Sequence, residues 1–194
     1  MRTVLDVENN TTKRGGKNLL DPWEPGNFLV QVGTLNVDKT DEEHILTFDH
    51  KESKDTRGTA AFVLQTILDE TSLLIVHNAR HDLPWLWESG FSYDGDIYDT
   101  LIGEYLLLRG VKRGIGLAYC AEARELPSRK LDVLKDYYKK GYNTDEIPLA
   151  ELKEYLKGDL HVTRELFLAQ EEDFAKPESL SMLKVRDISM KVAV

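Results

Sequence analysis

The chain has 194 residues, of which 41% are hydrophobic and 30% charged, a balance typical of a globular protein with one sizeable domain or two small ones. Its formal charge of −9 excludes a protein that coats long nucleic acid by itself, because such proteins are normally basic. No apolar run approaches the roughly 18 residues of a membrane helix, and a single cysteine, Cys120, excludes an internal disulfide, so we expect a cytoplasmic protein with no membrane contact.

The predicted elements are mostly strands in the first third of the chain and mostly helices after it. Strand patterns cover residues 3–8, 28–37, 44–50 and 72–78. Helical patterns cover residues 59–70, 80–89, 99–109, 115–124, 130–140, 148–173 and 178 to the end. This order predicts a mixed α/β domain in which helices surround a sheet.

A loop rich in glycine, asparagine and proline, residues 9–27, separates the first two strands. Lys13, Arg14 and Lys17 in this loop could contact phosphates. Such residues are more often found in a solvated loop, so both phosphate contact and simple solvent exposure stay open.

The first strand carries two carboxylates on one face. Residues two apart in a strand point the same way, so Asp6 and Glu8 stand side by side next to Val4, while Leu5 and Val7 share the opposite, core-facing side. Two neighbouring carboxylates repel each other. They indicate either an exposed strand end or a bound cation.

A third carboxylate follows the strand predicted over 72–78. Asn78 ends that strand, and Asp82 comes four residues later. Pro84 is tolerated only near the start of a helix, which places Asp82 in or close to the first turn, where the helix dipole favours an anion. Taken alone, Asp82 would be interpreted as a simple capping residue.

A fourth carboxylate lies on the long late helix. Tyr155 and Asp159 are four residues apart and therefore share one helical face. Gly158 between them costs roughly 1 kcal/mol relative to alanine, and such a glycine often marks the close approach of another group. Alone, the pair is a common feature of amphipathic helices.

Together the four carboxylates make a stronger case. At about 4 Å separation each would repel a neighbour by about 4 kcal/mol at an effective dielectric constant of roughly 20. A stable domain would assemble such a cluster only around cations, and an all-oxygen site favours Mg²⁺ or Mn²⁺ over zinc.

The order of these motifs resembles the DnaQ-like 3′–5′ exonucleases. D-x-E at Asp6 and Glu8, N-x-x-x-D at Asn78 and Asp82, and Y-x-x-x-D ending at Asp159 match the tyrosine form of that superfamily, called DEDDy. The match spans residues 4 to about 168. The histidine form has a histidine five residues before the last aspartate, where this chain has a glutamate. The resemblance therefore implies the tyrosine subtype, with an RNase H-like mixed sheet and surrounding helices.

Further stretches resemble the proofreading domains of phage family A DNA polymerases. These are residues 130–159 and 180–192, the second resembling the helix that leads into the polymerase part, while residues 98–108 resemble the helix that follows the N-x-x-x-D motif in the exonuclease domains. We therefore expect an exonuclease domain over residues 1–175, followed by a helical segment, 176–194, that would lead into a polymerase domain or contact a polymerase subunit. The residues after Glu8 depart from the family pattern, because Asn9 and Asn10 stand where most relatives have a threonine or a small residue.

The resemblance also implies roles for the metal-binding side chains and a substrate. Asp6, Glu8 and Asp159 would bind one of two divalent cations, Mg²⁺ or Mn²⁺, and Asp82 would support the second, to which Asp6 also bridges. The substrate would be the 3′ end of single-stranded DNA, shortened by one 5′-mononucleotide at a time.

The two remaining predicted site residues would act on the water and on the substrate. Tyr155 would orient the attacking water, since the ordinary tyrosine pKa of about 10 disfavours its acting as a base. Asn78 would help to position the terminal nucleotide or the turn that carries Asp82.

Two alternatives remain open at this stage. An RNase D-like enzyme would use the same residues on RNA, and a non-catalytic module would keep the fold for docking.

Trp85 and Trp87 are expected to pack in the core, and Asp99 is expected to cap a helix. Four basic residues could guide the strand, although lysines and arginines are common on any protein surface: Lys112, Arg113, Arg129 and Lys130.

Overall fold

A five-stranded mixed sheet forms the centre of the protein. The structure is a computed structural model that describes residues 1–53, 57–129 and 133–192. The strands are β1 Arg2–Asn10, β4 Phe28–Asn36, β5 Glu43–Thr47, β6 Leu73–Val76 and β7 Asp96–Asp99. Their order is β5-β4-β1-β6-β7, in which β1 pairs antiparallel with β4 and parallel with β6. β1 is therefore the central strand, as its buried apolar residues require.

The helices cover both faces of this sheet. They are α1 Arg57–Glu70, α2 Ala79–Glu88, α3 Thr100–Leu107, α4 Leu117–Ala123, α5 Leu134–Lys139, α6 Leu149–Ala175 and α7 Leu183–Lys191, with short 3₁₀ helices at Thr144–Glu146 and Pro177–Met182. No helix in the described ranges combines the length and the apolar character needed to cross a bilayer. The α/β mixed sheet with surrounding helices confirms the predicted fold class.

The alternating pattern of β1 divides the core in two. Leu5 and Val7 pack with residues of α1 and α2 on one face of the sheet. Val4 packs on the other face with Leu160 and Phe167 of α6. Because Asp6 and Glu8 follow Val4 on the same face, the strand carries them toward α6.

Two sets of strands were not predicted. β7 lies within a region whose pattern indicated helices, and its polar sequence DIYD has no apolar run to identify it. A small separate hairpin, β2 Lys13–Arg14 and β3 Lys17–Asn18, folds within the loop that was expected to be irregular.

Three other predictions need correction or lie partly outside the described residues. Trp85 is buried as expected, but Trp87 is 44% exposed because α2 covers the sheet with only one face. The helix predicted from residue 178 onward begins as a 3₁₀ helix and becomes α-helical only at Leu183. The predicted helix start at residues 130–132, with Lys130, and the last two residues, 193–194, lie outside the described part of the chain.

Candidate active site

Three of the predicted ligands meet beside the end of β1. Oxygen atoms of Asp6, Glu8 and Asp159 all lie within 4.8 Å of one another. Asp159 is buried, whereas Asp6 and Glu8 are half-buried. Residues about 150 positions apart in sequence thus form one compact acidic cluster.

A glycine on the neighbouring strand allows α6 to reach this cluster. Gly33 of β4 lies directly opposite Asp6 in the antiparallel pairing. A Cβ atom at this position would lie 2.7 Å from Leu160 Cδ1 and 2.9 Å from Leu156 Cγ, well inside normal carbon–carbon contact. Because glycine has no side chain, α6 packs on the backbone of β4 and brings Asp159 beside Asp6.

Asp82 approaches the same end of β1 from the other side. It lies in the first turn of α2, as predicted, and is only 1% exposed. Burial, and then the negative charges of Asp6, Asp99 and Glu8, raise the pKa of Asp82 well above its usual value, although the backbone N–H of Val7 donates a hydrogen bond to it. Within the described residues, its buried Oδ2 atom has no hydrogen-bond partner. The side chain therefore has an oxygen available for a cation or its water.

Asp99 fixes the start of the helix that carries Asp82. Its carboxylate accepts hydrogen bonds from the backbone N–H groups of Leu101 (2.9 Å), Asn78 (3.0 Å) and Ala79 (2.9 Å). The first of these is the helix cap that the sequence predicted. The other two tie α2 to α3, and no local sequence signal indicated them.

Asn78 lies at the turn before α2. Its backbone is left-handed, with φ of 82°, and its side chain makes no capping hydrogen bond. It lines a separate cavity with Arg80 and Tyr105. The structure thus places Asn78 in the turn that positions Asp82.

Tyr155 joins the acidic cluster through its neighbour on α6. Its hydroxyl group forms a hydrogen bond with the Asp159 carboxylate. Burial first, and then the negative charges of Asp159, Glu8 and Asp6, raise the pKa of Tyr155 well above its usual value. The hydroxyl therefore stays protonated and acts as a hydrogen-bond donor.

The donor set fits a hard divalent cation. It consists of carboxylate oxygens only, which Mg²⁺ and Mn²⁺ prefer. After burial, the main charges that raise the pKa of Asp82 are the carboxylates of Asp6, Asp99 and Glu8. A bound cation would relieve this repulsion, and the buried Oδ2 of Asp82 would gain a partner.

A groove extends from Glu8 away from the cluster. Its floor includes Asn9, whose side-chain amide lies 3.0 Å from His81 Nε2. Burial lowers the pKa of His81, so the ring is neutral and accepts the hydrogen bond from the amide. In the sequence, the only signal of Asn9 is its departure from the pattern of the DnaQ-like exonucleases, most of which have a threonine or a small residue after the glutamate.

Comparison with known proteins shows the fold. No protein-family model matches the chain, and no curated protein matches its sequence. Among solved structures, NrnC from Brucella melitensis with bound Mg²⁺ is 18% identical with a TM-score of 0.66, covering 99% of this chain and 81% of that chain. The same protein bound to pGG is 19% identical, with a TM-score of 0.66 and coverage of 99% and 80%.

A DNA polymerase shares the same architecture. The phi29 DNA polymerase, in complex with primer-template DNA and incoming nucleotides, is 17% identical with a TM-score of 0.52, and the match covers 96% of this chain but 34% of the polymerase. Together these similarities confirm the predicted DnaQ-like fold.

Proposed function

We propose that the protein is a metal-dependent 3′–5′ exonuclease that releases 5′-mononucleotides from the 3′ ends of single-stranded DNA. The observation that carries this proposal is the convergence of Asp6, Glu8 and Asp159 within 4.8 Å, with Tyr155 hydrogen-bonded to the last of them. Such a costly group of like charges has a clear chemical use in holding cations against a phosphodiester.

The carboxylates have distinct roles on this proposal. Asp6, Glu8 and Asp159 would hold one Mg²⁺ or Mn²⁺, and Asp6 and the buried Asp82 would hold a second. Cations bound there would lower the pKa of a water and stabilise the charge that develops on the leaving 3′-oxygen. The protein contributes a rigid floor, because β1 is the central strand and both of its faces are packed.

Tyr155 orients the attacking water rather than removing its proton. Its raised pKa keeps the hydroxyl protonated, so it donates one hydrogen bond and accepts another. Asn78 contributes through the turn before α2, which sets the position of Asp82 relative to the terminal nucleotide.

A proofreading role in phage DNA replication is the finer proposal. It is supported by the resemblance of residues 130–159 and 180–192 to phage family A polymerases and by the structural match to one third of the phi29 DNA polymerase. On this proposal residues 1–175 are the exonuclease domain and 176–194 connect it to a polymerase domain or subunit. Cys120, buried and unpaired with any other cysteine, fits a cytoplasmic site of action.

A second candidate keeps the chemistry and changes the nucleic acid. An RNase D-like enzyme acting on short RNA is supported by the similarity to NrnC bound to pGG, which extends over 80% of that chain. A non-catalytic docking module is disfavoured because all four carboxylates and Tyr155 are present.

The test compares nucleic acids in one assay. Single-stranded DNA and RNA oligomers, labelled at the 5′ end, are incubated with the protein and Mg²⁺ or Mn²⁺. We expect a ladder that shortens from the 3′ end of DNA and disappears with EDTA or in the Asp6→Ala/Glu8→Ala variant. The matched control, Asp41→Ala/Glu88→Ala, removes two exposed carboxylates elsewhere and should keep full activity.

The outcomes separate the candidates. Cleavage of RNA alone would replace the DNA proposal with the RNase D-like one. Failure on both nucleic acids in both metals would refute the exonuclease and favour a docking module.

A further inference from the structure

The groove beside Glu8 has two chemically different walls and is called here the hairpin groove. It has a volume of about 600 Å³. One wall is formed by the β2–β3 hairpin and the other by the end of α5 and the segment that joins it to α6. Lys13 and Lys17 lie on the first wall, Tyr138 and Tyr142 on the second, and Glu8 and Asn9 between them.

The hairpin presents its lysines because other residues hold it in place. Arg14 forms an ion pair with Glu24 at 3.0 Å, and the backbone N–H of Thr12 donates to Asn27 Oδ1 at 2.6 Å. Lys13 and Lys17 are exposed and form no ion pair with any described residue. Two positive charges thus face the groove while the third basic residue anchors the loop.

The hairpin turn makes this short element possible. Gly15 and Gly16 have φ values of 59° and 77°, the left-handed conformation that a tight two-residue hairpin turn requires. Since the turn is made of glycines, no bulky side chain blocks the groove entrance between the lysines.

The opposite wall offers aromatic rings. Tyr138 is 41% exposed and Tyr142 is 43% exposed. The ring of Tyr142 packs edge-on against Tyr137 with 5.5 Å between centroids, and the Tyr138 hydroxyl lies 3.2 Å from Thr144 Oγ1. Both rings are therefore held in place while part of each remains open to the groove.

Cations on one wall and aromatic rings on the other are the features that bind a single strand without reading its sequence. Resting on the proposed exonuclease function, we infer that the hairpin groove holds the nucleotides on the 5′ side of the terminal one. Lys13 and Lys17 contact their phosphates, and Tyr142 stacks on a base. Although the chain carries a charge of −9, two exposed lysines line the groove where it leaves the acidic cluster.

The experiment measures how binding depends on salt. A single-stranded DNA octamer, labelled with a fluorophore at its 5′ end, is titrated in EDTA and followed by anisotropy at several salt concentrations. In a plot of log K against log salt, each phosphate contact with a single strand contributes a slope of about 0.7. We expect Lys13→Gln/Lys17→Gln to reduce the slope by about 1.4 and to weaken binding roughly tenfold at low salt.

Two further variants make the result specific. Lys184→Gln/Lys191→Gln removes two exposed lysines of α7, which do not line the groove, and should bind as the wild type does. Tyr142→Ala should weaken binding roughly tenfold with an unchanged salt slope, because it removes stacking and no charge. An equal slope in the wild type and Lys13→Gln/Lys17→Gln, or no binding by the wild type, would overturn the inference.

A small substrate separates this inference from the proposed function. The p-nitrophenyl ester of thymidine 5′-monophosphate has no nucleotide on its 5′ side and cannot occupy the groove. With Mg²⁺ or Mn²⁺, the lysine variant should hydrolyse it at the wild-type rate. If the wild type hydrolyses neither this ester nor the oligomers, the exonuclease proposal fails. If the wild type hydrolyses them but Lys13→Gln/Lys17→Gln binds DNA with the wild-type salt slope, only the groove inference fails.

Discussion

Replacing Gly33 by alanine tests whether close packing of α6 on β4 sets the active-site geometry. The added Cβ would lie 2.7 Å from Leu160 Cδ1 and 2.9 Å from Leu156 Cγ. Carbon atoms in contact are normally about 3.5–4.0 Å apart, so the helix and strand would have to separate by about 1 Å. Both leucines are fully buried.

The expected cost follows from this overpacking. Inserting a methyl group into a well-packed core destabilises a protein by about 1–3 kcal/mol, which corresponds to a melting temperature lower by roughly 2–12 °C for a chain of this size. A displacement of about 1 Å between Asp159 and Asp6 would lower kcat by about a hundredfold. Thermal unfolding followed by circular dichroism and the exonuclease assay measure these two effects.

Gly58→Ala is the matched control. Gly58 lies in the first turn of α1, and its added Cβ would meet nothing within 4 Å. Alanine there should stabilise the protein by about 0.4–1 kcal/mol and leave activity unchanged. If Gly33→Ala melted at the wild-type temperature and kept full activity, the proposed packing constraint on α6 would be wrong.

Three further substitutions test the site itself. Asp6→Asn should raise the free energy of unfolding in EDTA by about 1 kcal/mol, because it removes like-charge repulsion. It should also abolish the rise in melting temperature that Mg²⁺ causes, and a persisting Mg²⁺ effect would contradict the proposed ligand set. Tyr155→Phe should lower kcat by about ten- to a hundredfold. The shape of the pH–rate profile between pH 6 and 9 should not change, because the raised pKa keeps the Tyr155 hydroxyl protonated throughout that range. If the wild-type profile had a limb at high pH that the variant lost, Tyr155 would instead be a titrating base. Asp99→Ala should lower the free energy of unfolding, measured in urea, by about 2–4 kcal/mol, because three backbone N–H groups lose their acceptor. A loss below about 1 kcal/mol would show that water replaces the carboxylate.

The sequence predicted the elements that have a clear periodic pattern. Alternation in β1 located the two faces of that strand, and Pro84 located the first turn of α2. Both features depend on residues close together in the chain. The convergence of Asp159 with β1 depends on tertiary packing, and only the family resemblance indicated it.

The elements that could not be predicted from the sequence are short or exposed. β7 has four residues, two of them aspartates, and its place in the sheet is set by pairing with β6 rather than by an apolar pattern. The β2–β3 hairpin has two exposed residues in each strand, so its sequence has no alternation of apolar and polar residues. The hairpin groove could not be predicted for the same reason, since its walls come from segments more than 100 residues apart.

The acidic cluster has an evolutionary consequence. Its three carboxylates repel one another in the absence of a cation, and after burial the charges of Asp6 and Glu8 contribute to raising the pKa of the neighbouring Asp82. On the proposed function, a substitution that neutralises one of them would remove activity and stabilise the fold in the same step, so only selection for activity would oppose it. Once a lineage no longer needs the proposed activity, mutation alone would convert this domain into a more stable, inactive protein with its surfaces intact. Inactive descendants of such a domain should accordingly lose the carboxylates of the cluster before they lose core residues such as Gly33.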